Sequence, residues 1–66
     1  MQLVVNNKTG EYPHEFLSQL LDELDLFESK GIAVAVNNKV IPKSHWESFQ
    51  LNENDTITII RATQGG

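Results

Sequence analysis

One amphipathic stripe, lying between segments rich in β-branched residues, most constrains the fold of this chain. Its apolar residues recur at helical spacing while the polar residues between them fall off that face, so the segment predicts an α-helix. Pro13 suits the first position of this helix, where its missing N–H costs nothing. At the far end, Phe27 could extend the stripe before Gly31 ends the helix. The stripe is formed by Phe16, Leu17, Leu20, Leu21 and Leu24.

Short strands are predicted on both sides of the helix. Four of them are rich in β-branched residues, and residues 9–12 are predicted to pair back on the first strand as the second arm of a hairpin. Asparagine-rich segments between the strands have the chemistry of turns. The predicted strands cover residues 2–6, 9–12, 32–36, 40–41 and 56–60, and the predicted turns lie at 6–8, 37–39 and 52–55.

The segment after the fourth predicted strand is expected to close one end of the core. Pro42 ends that strand, and Ser44 and Glu47 have the spacing of a capping box, which predicts a single helical or 3₁₀ turn. Trp46 and Phe49 are then available as apolar plugs for that end of the core.

A single helix can cover only one face of a four- or five-stranded sheet. The first and last strands are expected to be central and parallel, because a right-handed crossover through the helix buries them best. The sequence therefore predicts an α+β fold of the β-grasp (ubiquitin-like) type, with a mixed four- to five-stranded sheet and one helix packed on one face.

Strand parity predicts which side chains point away from that helix. Leu3, Val5, Val34, Val36, Ile57 and Ile59 are expected to face it. The other face would then present a modest apolar patch near the end of the last strand, and such patches often mark partner sites. Arg61 is the basic residue beside the tail. It is expected to pair with an acidic group of the protein that binds this surface. The predicted docking residues are Val4, Ala33, Ala35, Thr58, Ile60 and Arg61.

The length and composition of the chain disfavour several classes of function. Sixty-six residues can bury one small core, which leaves little chain to wall an active-site cleft, so a partner or substrate is favoured over an enzyme. The absence of cysteine removes disulfides and thiolate metal sites. The net charge of −4 disfavours nucleic acid, and no apolar run is long enough for a membrane span. A cytoplasmic protein is expected.

Other polar residues are assigned simpler roles. His14 and His45 have no partner ligands at metal spacing, so they are interpreted as surface or capping residues and no metal site is predicted. Acidic residues in the helix region are interpreted as a solvated face that could also steer a basic partner. They are Glu11, Glu15, Asp22, Glu23, Asp25 and Glu28.

The chain ends in Gln64-Gly65-Gly66. Two glycines lack Cβ atoms and form a thread slim enough to enter a narrow tunnel in another protein. The terminal carboxylate is ionised at neutral pH and could attack an activated phosphate supplied by an enzyme. We therefore expect residues 1–62 to form a single domain and residues 63–66 to form a flexible tail.

The second half of the chain contains a set of residues that together are typical of one protein family: 33–37 (AVAVN), 40–43 (VIPK), Trp46, Leu51, Asp55, Ile57, Ile59 and 64–66 (QGG). With these residues the chain resembles the ThiS family of thiamine-biosynthesis sulfur carriers, and the resemblance covers nearly the whole chain. Asn38-Lys39 and Asn54-Asp55 depart from the family, which often has glycine in those turns; asparagine also tolerates the left-handed conformation.

The resemblance implies a function for the tail. A partner related to ubiquitin-activating enzymes would use ATP and magnesium to adenylate the carboxylate of Gly66, with Gly65 and Gln64 giving access. Sulfur from cysteine, delivered by a donor such as a cysteine desulfurase, would convert the adenylate to a thiocarboxylate that thiazole synthase uses. The chain would bind no cofactor itself, because nothing in it resembles a phosphate-cradling loop.

Other functions remain open at this stage. The small subunit of molybdopterin synthase resembles the same pattern, and sulfur carriers also serve tRNA thiolation. A different class is a non-covalent β-grasp interaction module, in which the sheet binds a partner and the Gly-Gly end is incidental. Removal of Gly66 separates this class from the carriers.

Overall fold

The computed structural model describes residues 1–28 and 30–61. Within them, five strands form one sheet, accompanied by one α-helix and one short 3₁₀ helix. No helix in these two ranges is long and apolar enough to cross a membrane. The elements are β1 (Gln2–Val5), β2 (Lys8–Glu11), α1 (Leu17–Glu23), β3 (Ile32–Val36), β4 (Lys39–Val40), the 3₁₀ helix (Lys43–His45) and β5 (Thr56–Arg61).

The sheet has the strand order β2-β1-β5-β3-β4. β1 and β5 are parallel, whereas β1 with β2, β3 with β5 and β3 with β4 are antiparallel. The last strand is therefore central and lies beside the first. These findings confirm the predicted α+β fold with a mixed sheet and one helix.

Both hairpins are closed by a pair of asparagines in left-handed backbone conformation. Asn6 and Asn7 have φ of 48° and 69°, and Asn37 and Asn38 have φ of 52° and 71°. Positive φ at both central residues is the geometry of a type I′ turn, whose twist matches that of the paired strands. The predicted turn before β5 is also confirmed, with Asn54 at φ 69°.

The core lies between the helix and one face of the sheet. As parity predicts, the side chains assigned to this face are buried or half-buried in every strand that contributes them. Trp46 is buried and Phe49 is partly buried against the cluster, which confirms their role as plugs. The buried residues are Leu3, Val5, Leu17, Leu20, Leu21, Leu26, Val34, Val36, Ile41, Trp46, Leu51 and Ile57.

The helix begins at Leu17, so the prediction that Pro13 occupies its first position is wrong. The preceding residues stay extended because their hydrogen bonds go elsewhere: the N–H groups of Glu15 and Phe16 donate to the side chain of Gln19 at 3.0 and 2.9 Å. The N–H of Leu17 donates to the Phe49 carbonyl at 2.9 Å, which anchors the helix start to the segment before β5.

The helix ends at Glu23, well before Gly31, so the suggested extension through Phe27 is also wrong. Asp25 adopts φ 60° just after the helix. The N–H of Leu26 donates to the carbonyl of Leu21 at 2.8 Å, and that of Asp25 donates to Asp22 at 3.0 Å. These two bonds are those of a Schellman motif, here with aspartate where glycine is usual.

The 3₁₀ turn after β4 is confirmed, but the capping box predicted for it is wrong. Pro42 precedes its first residue and no side-chain cap is formed, so Ser44 lies inside the turn and not at its start. The turn is held instead by packing of Trp46, which is 2% exposed and donates its indole N–H to the carbonyl of Ile41 at 2.9 Å.

Candidate functional site

The predicted reactive residues Gln64, Gly65 and Gly66 lie outside the described residues, as does the predicted domain limit at residue 62. The described part of the candidate site is therefore the end of β5 and the sheet around it. Its last residue, Arg61, still belongs to β5 and pairs with Ile32 of β3.

The open face is the sheet surface turned away from α1. Thr58 lies opposite Ala35, and Ile60 lies opposite Ala33. Val4 lies opposite Thr56, which has the same parity as Thr58. Because directly opposite residues of paired strands share a face, five of the six predicted docking residues lie together, as predicted: Val4, Ala33, Ala35, Thr58 and Ile60.

On this part of the open face, small alanine side chains of β3 lie between larger apolar side chains of the central strand β5 and the edge strand β4. Ile60 is 59% exposed on β5, and Val40 is 67% exposed on β4. Val40 lies opposite Ala35 and so belongs to the same face. Sequence reasoning missed it, although a two-residue turn at Asn37 and Asn38 fixes this pairing and could have revealed it.

The strand residues on the open face are uncharged with one exception. Glu11 lies opposite Gln2 at its far corner, on β2 and not in the helix region. Its carboxylate accepts a hydrogen bond from the amino group of Met1 at 2.8 Å. In a chain of net charge −4, this surface therefore suits an apolar contact better than an ionic one.

Arg61 lies on the other side of the sheet from Ile60. It is opposite Ile32, which packs against the core cluster, so its side chain emerges at the edge of the helix face. The predicted docking residues therefore lie on two different faces of the sheet, five on the open face and Arg61 on the helix face. A partner that contacts the open face can reach Arg61 only by extending around the end of β5.

Side chains from both hairpin turns hold β5. The side-chain oxygen of Asn6 accepts the N–H of Ile59 at 2.8 Å, and that of Asn37 accepts the N–H of Thr56 at 2.9 Å. Asp55, which is 8% exposed, accepts hydrogen bonds from the Asn37 amide at 2.9 Å and the Asn52 N–H at 2.8 Å. The strand that leads to the tail is therefore fixed from both sides.

The histidines lie apart from the open face and from each other. His14 is half-buried and contacts the carboxylate of Glu23 on α1, and His45 is exposed in the 3₁₀ helix. Among the residues that the structure describes, no three metal-ligating side chains come together. An acidic recess of about 310 Å³ lies beyond the helix end, lined by Asp22, Asp25, Phe27 and Glu28.

Comparisons with known proteins match the chain over nearly its whole length. A protein-family model described as the ThiS family matches residues 4–66. The sulfur carrier protein ThiS of Escherichia coli (strain K12) is 28% identical over 71 residues, which cover 100% of both chains.

Two solved structures have the same fold. The crystal structure of the thiamine biosynthesis protein (ThiS) from Geobacter metallireducens matches with a TM-score of 0.83 at 20% identity, covering 100% of both chains. A solution NMR structure of a thiamine biosynthesis protein from the same organism matches with a TM-score of 0.78 at 20% identity, covering 100% of this chain and 88% of that one.

Proposed function

Because the chain belongs to the ThiS family, we propose that it is a sulfur carrier for thiamine biosynthesis whose working group is the carboxylate of Gly66. In this proposal the chain is a protein cosubstrate and not an enzyme. A partner related to ubiquitin-activating enzymes supplies the catalytic groups, the ATP and the magnesium, and the reaction takes place in the cytoplasm, where ATP is available.

The proposed chemistry has three steps at one carboxyl group. A carboxylate oxygen of Gly66 attacks the α-phosphorus of ATP, and pyrophosphate leaves to give an acyl-adenylate. The outer sulfur of a persulfide, formed from cysteine by a donor such as a cysteine desulfurase, then attacks the acyl carbon, and AMP leaves to give an acyl disulfide. A thiol attacks the donor sulfur of that disulfide and is itself oxidised to a disulfide, which releases the thiocarboxylate that thiazole synthase consumes.

The observation that supports this proposal is the extent of the family match, which continues through Gly65 and Gly66. A match limited to the sheet and helix would be explained by the fold alone, and a fold does not determine a function. A match that includes the terminal glycines supports the proposal that Gly65 and Gly66 are the working end of this chain.

The open face provides a place for the activating enzyme to dock. Ile60 is exposed immediately before the end of β5, so a partner that covers it lies beside the last described residue, Arg61. We assign Val4, Ala33, Ala35, Thr58 and Ile60 to this docking surface, with Val40 as a further member. Arg61 is assigned to a separate contact with an acidic group of the same enzyme.

Intact-protein mass spectrometry tests the proposal. The chain is incubated with ATP, magnesium, cysteine, a cysteine desulfurase, a thiol reductant and an activating enzyme related to ubiquitin-activating enzymes. A variant lacking Gly66 is treated in parallel. We expect a mass gain equal to exchange of one oxygen for sulfur, located in the Gly65-Gly66 peptide and absent from the shortened variant.

The same experiment separates the other functions. An unmodified terminus in the presence of a competent activating enzyme would contradict the carrier role and favour a non-covalent interaction module. If the thiocarboxylate forms, sulfur transfer is compared with thiazole synthase and with the large subunit of molybdopterin synthase. Transfer only to the latter would contradict the thiamine assignment.

A further inference from the structure

The last strand extends beyond its parallel neighbour. β1 pairs with β5 only at Thr56 and Ile57, because the chain turns away at Asn6 and Asn7. From Ile59 onward, backbone pairing of β5 comes from β3 alone within the described part of the chain, where Ala33 lies opposite Ile60. The end of β5 is thus supported by backbone pairing on the β3 side, whereas on the β1 side no strand pairs with it in the described part of the chain.

The side chain of Asn6 supplies support on the β1 side. In the parallel ladder, the N–H of Val4 donates to the carbonyl of Asp55 at 3.0 Å, and the N–H of Asn6 donates to that of Ile57 at 2.9 Å. The next rung on this side is the N–H of Ile59. It donates at 2.8 Å to the side-chain oxygen of Asn6, which stands where a backbone carbonyl of β1 would stand if the strand continued.

One residue therefore performs two tasks at the same point. Asn6 adopts the left-handed conformation that ends β1, with φ 48°, and its side chain also extends the ladder along β5. Glycine would suit the turn as well or better but could not make the rung. The rung constrains the position of Ile59, two residues before the end of β5.

From this geometry we propose that Asn6 is a positioning residue for sulfur activation. By fixing Ile59, it holds the end of β5 against the sheet. The inference rests on the proposed function of the tail. An end of β5 that is already ordered loses less conformational entropy when the activating enzyme binds, so the carrier binds more tightly.

Asn7 provides a matched control. It neighbours Asn6 in the turn, has φ 69° and is exposed, and its side chain makes no hydrogen bond to residues 1–28 or 30–61. Asn7→Gly changes the turn without touching the rung, whereas Asn6→Gly changes the turn and removes the rung. Asn6→Asp keeps an acceptor oxygen and tolerates the left-handed conformation.

Amide hydrogen exchange tests the structural part without any partner protein. The reporter is the N–H of Ile60, which points toward β3 and loses no bond in any of these variants. In Asn6→Gly we expect its exchange to be roughly five- to tenfold faster than in the wild type, the effect of one hydrogen bond. Asn6→Asp and Asn7→Gly are expected to stay within about twofold of the wild type. Urea unfolding of each variant gives the change in the free energy of global unfolding. Comparison of the two shows whether the faster exchange at Ile60 exceeds what global destabilisation alone would cause.

Adenylation kinetics test the positioning role. For Asn6→Gly we expect the KM of the activating enzyme for the carrier to rise roughly three- to tenfold with kcat unchanged. The reason is that a smaller fraction of the carrier molecules has an ordered β5 end at any moment. Asn6→Asp should restore the KM. If Asn6→Gly does not fold, Asn6→Ser, whose side chain is shorter by one atom, replaces it.

Each result has a definite meaning. Equal KM and equal Ile60 exchange in Asn6→Gly and Asn7→Gly would overturn the inference, as would a fall in kcat with KM unchanged. If the activating enzyme does not adenylate even the wild-type chain, the proposed function fails instead. The exchange comparison still decides whether Asn6 holds the end of β5.

Discussion

At the scale of single residues, Asp55 is a buried polar residue that links the turn before β5 to the β3–β4 hairpin. Its carboxylate accepts hydrogen bonds from the Asn37 amide and the Asn52 N–H, and the carbonyl of the same residue accepts the N–H of Val4. A carboxylate at this point satisfies donors from two separate segments. Its burial is therefore a stabilising structural feature and needs no catalytic explanation.

Replacing Asp55 should destabilise the fold in proportion to the acceptors lost. Asp55→Ala leaves the donors of Asn37 and Asn52 without their acceptor, so we expect the free energy of unfolding to fall by about 2–4 kcal/mol. Asp55→Asn keeps one acceptor oxygen and should lose about half as much. Urea denaturation gives both values, and Asp22→Ala, at an exposed helix position, should change stability by less than about 0.5 kcal/mol. Equal stability of Asp55→Ala and wild type would contradict this role.

At the scale of elements, local chemistry predicts turns and strands well but places the helix ends poorly. β3 is found at its predicted residues, Ile32–Val36. Its large and small side chains alternate along the strand, and the large ones face the core, so the sequence pattern follows the two faces of the sheet. The helix start differs for two reasons. The N–H groups of Glu15 and Phe16 bond to the Gln19 side chain, which is a local capping contact that sequence reasoning missed. Leu17 also bonds to the carbonyl of Phe49, a partner remote in sequence. The helix end differs because Asp25 adopts a backbone conformation that is usually found at glycine. Neither the contact with Phe49 nor the conformation of Asp25 can be predicted from the local sequence.

The asparagine turns also allow a prediction about the β3–β4 hairpin. Asn38 has φ 71° and its side chain is exposed, so its contribution is its backbone conformation. A β-branched residue is strained at positive φ, and we expect Asn38→Val to lower the free energy of unfolding by about 1–2 kcal/mol. Asn38→Gly should be neutral or slightly stabilising. Thermal unfolding of the two variants measures the difference, and a valine variant as stable as the glycine variant would show that the turn tolerates another geometry.

At the scale of the whole molecule, strand parity predicts the composition of the open face but not its limits. Alternation alone places Ile60 and Ala33 there, and the register confirms that they are neighbours. Parity also shows that Arg61, adjacent to Ile60 in sequence, must point to the other face. Val40 joins the surface only through the pairing of β4. The side-chain rung of Asn6 depends on where β1 ends relative to β5, which is a tertiary relation that no sequence pattern contains.

The open face therefore suggests a test of how the carrier meets its activating enzyme. Ile60→Glu places a charge on an exposed apolar position beside the end of β5. Because it is exposed, we expect the free energy of unfolding to change by less than about 0.5 kcal/mol. Because burying an unpaired charge in an interface is costly, we expect the KM for adenylation to rise at least about tenfold.

Thr9→Glu is the matched control for this substitution. It adds the same charge to the same face, but on the outer strand β2, two strands away from β5. We expect its KM to stay within about twofold of the wild type, since a charge at the solvated rim of an interface has little effect. Steady-state adenylation measured for both variants, at two salt concentrations, separates a local contact from general repulsion. Repulsion between net charges would raise both KM values alike and would weaken with salt. Normal activation of Ile60→Glu would show instead that the open face is not the docking surface, and Arg61, on the other face, would become the position to test next.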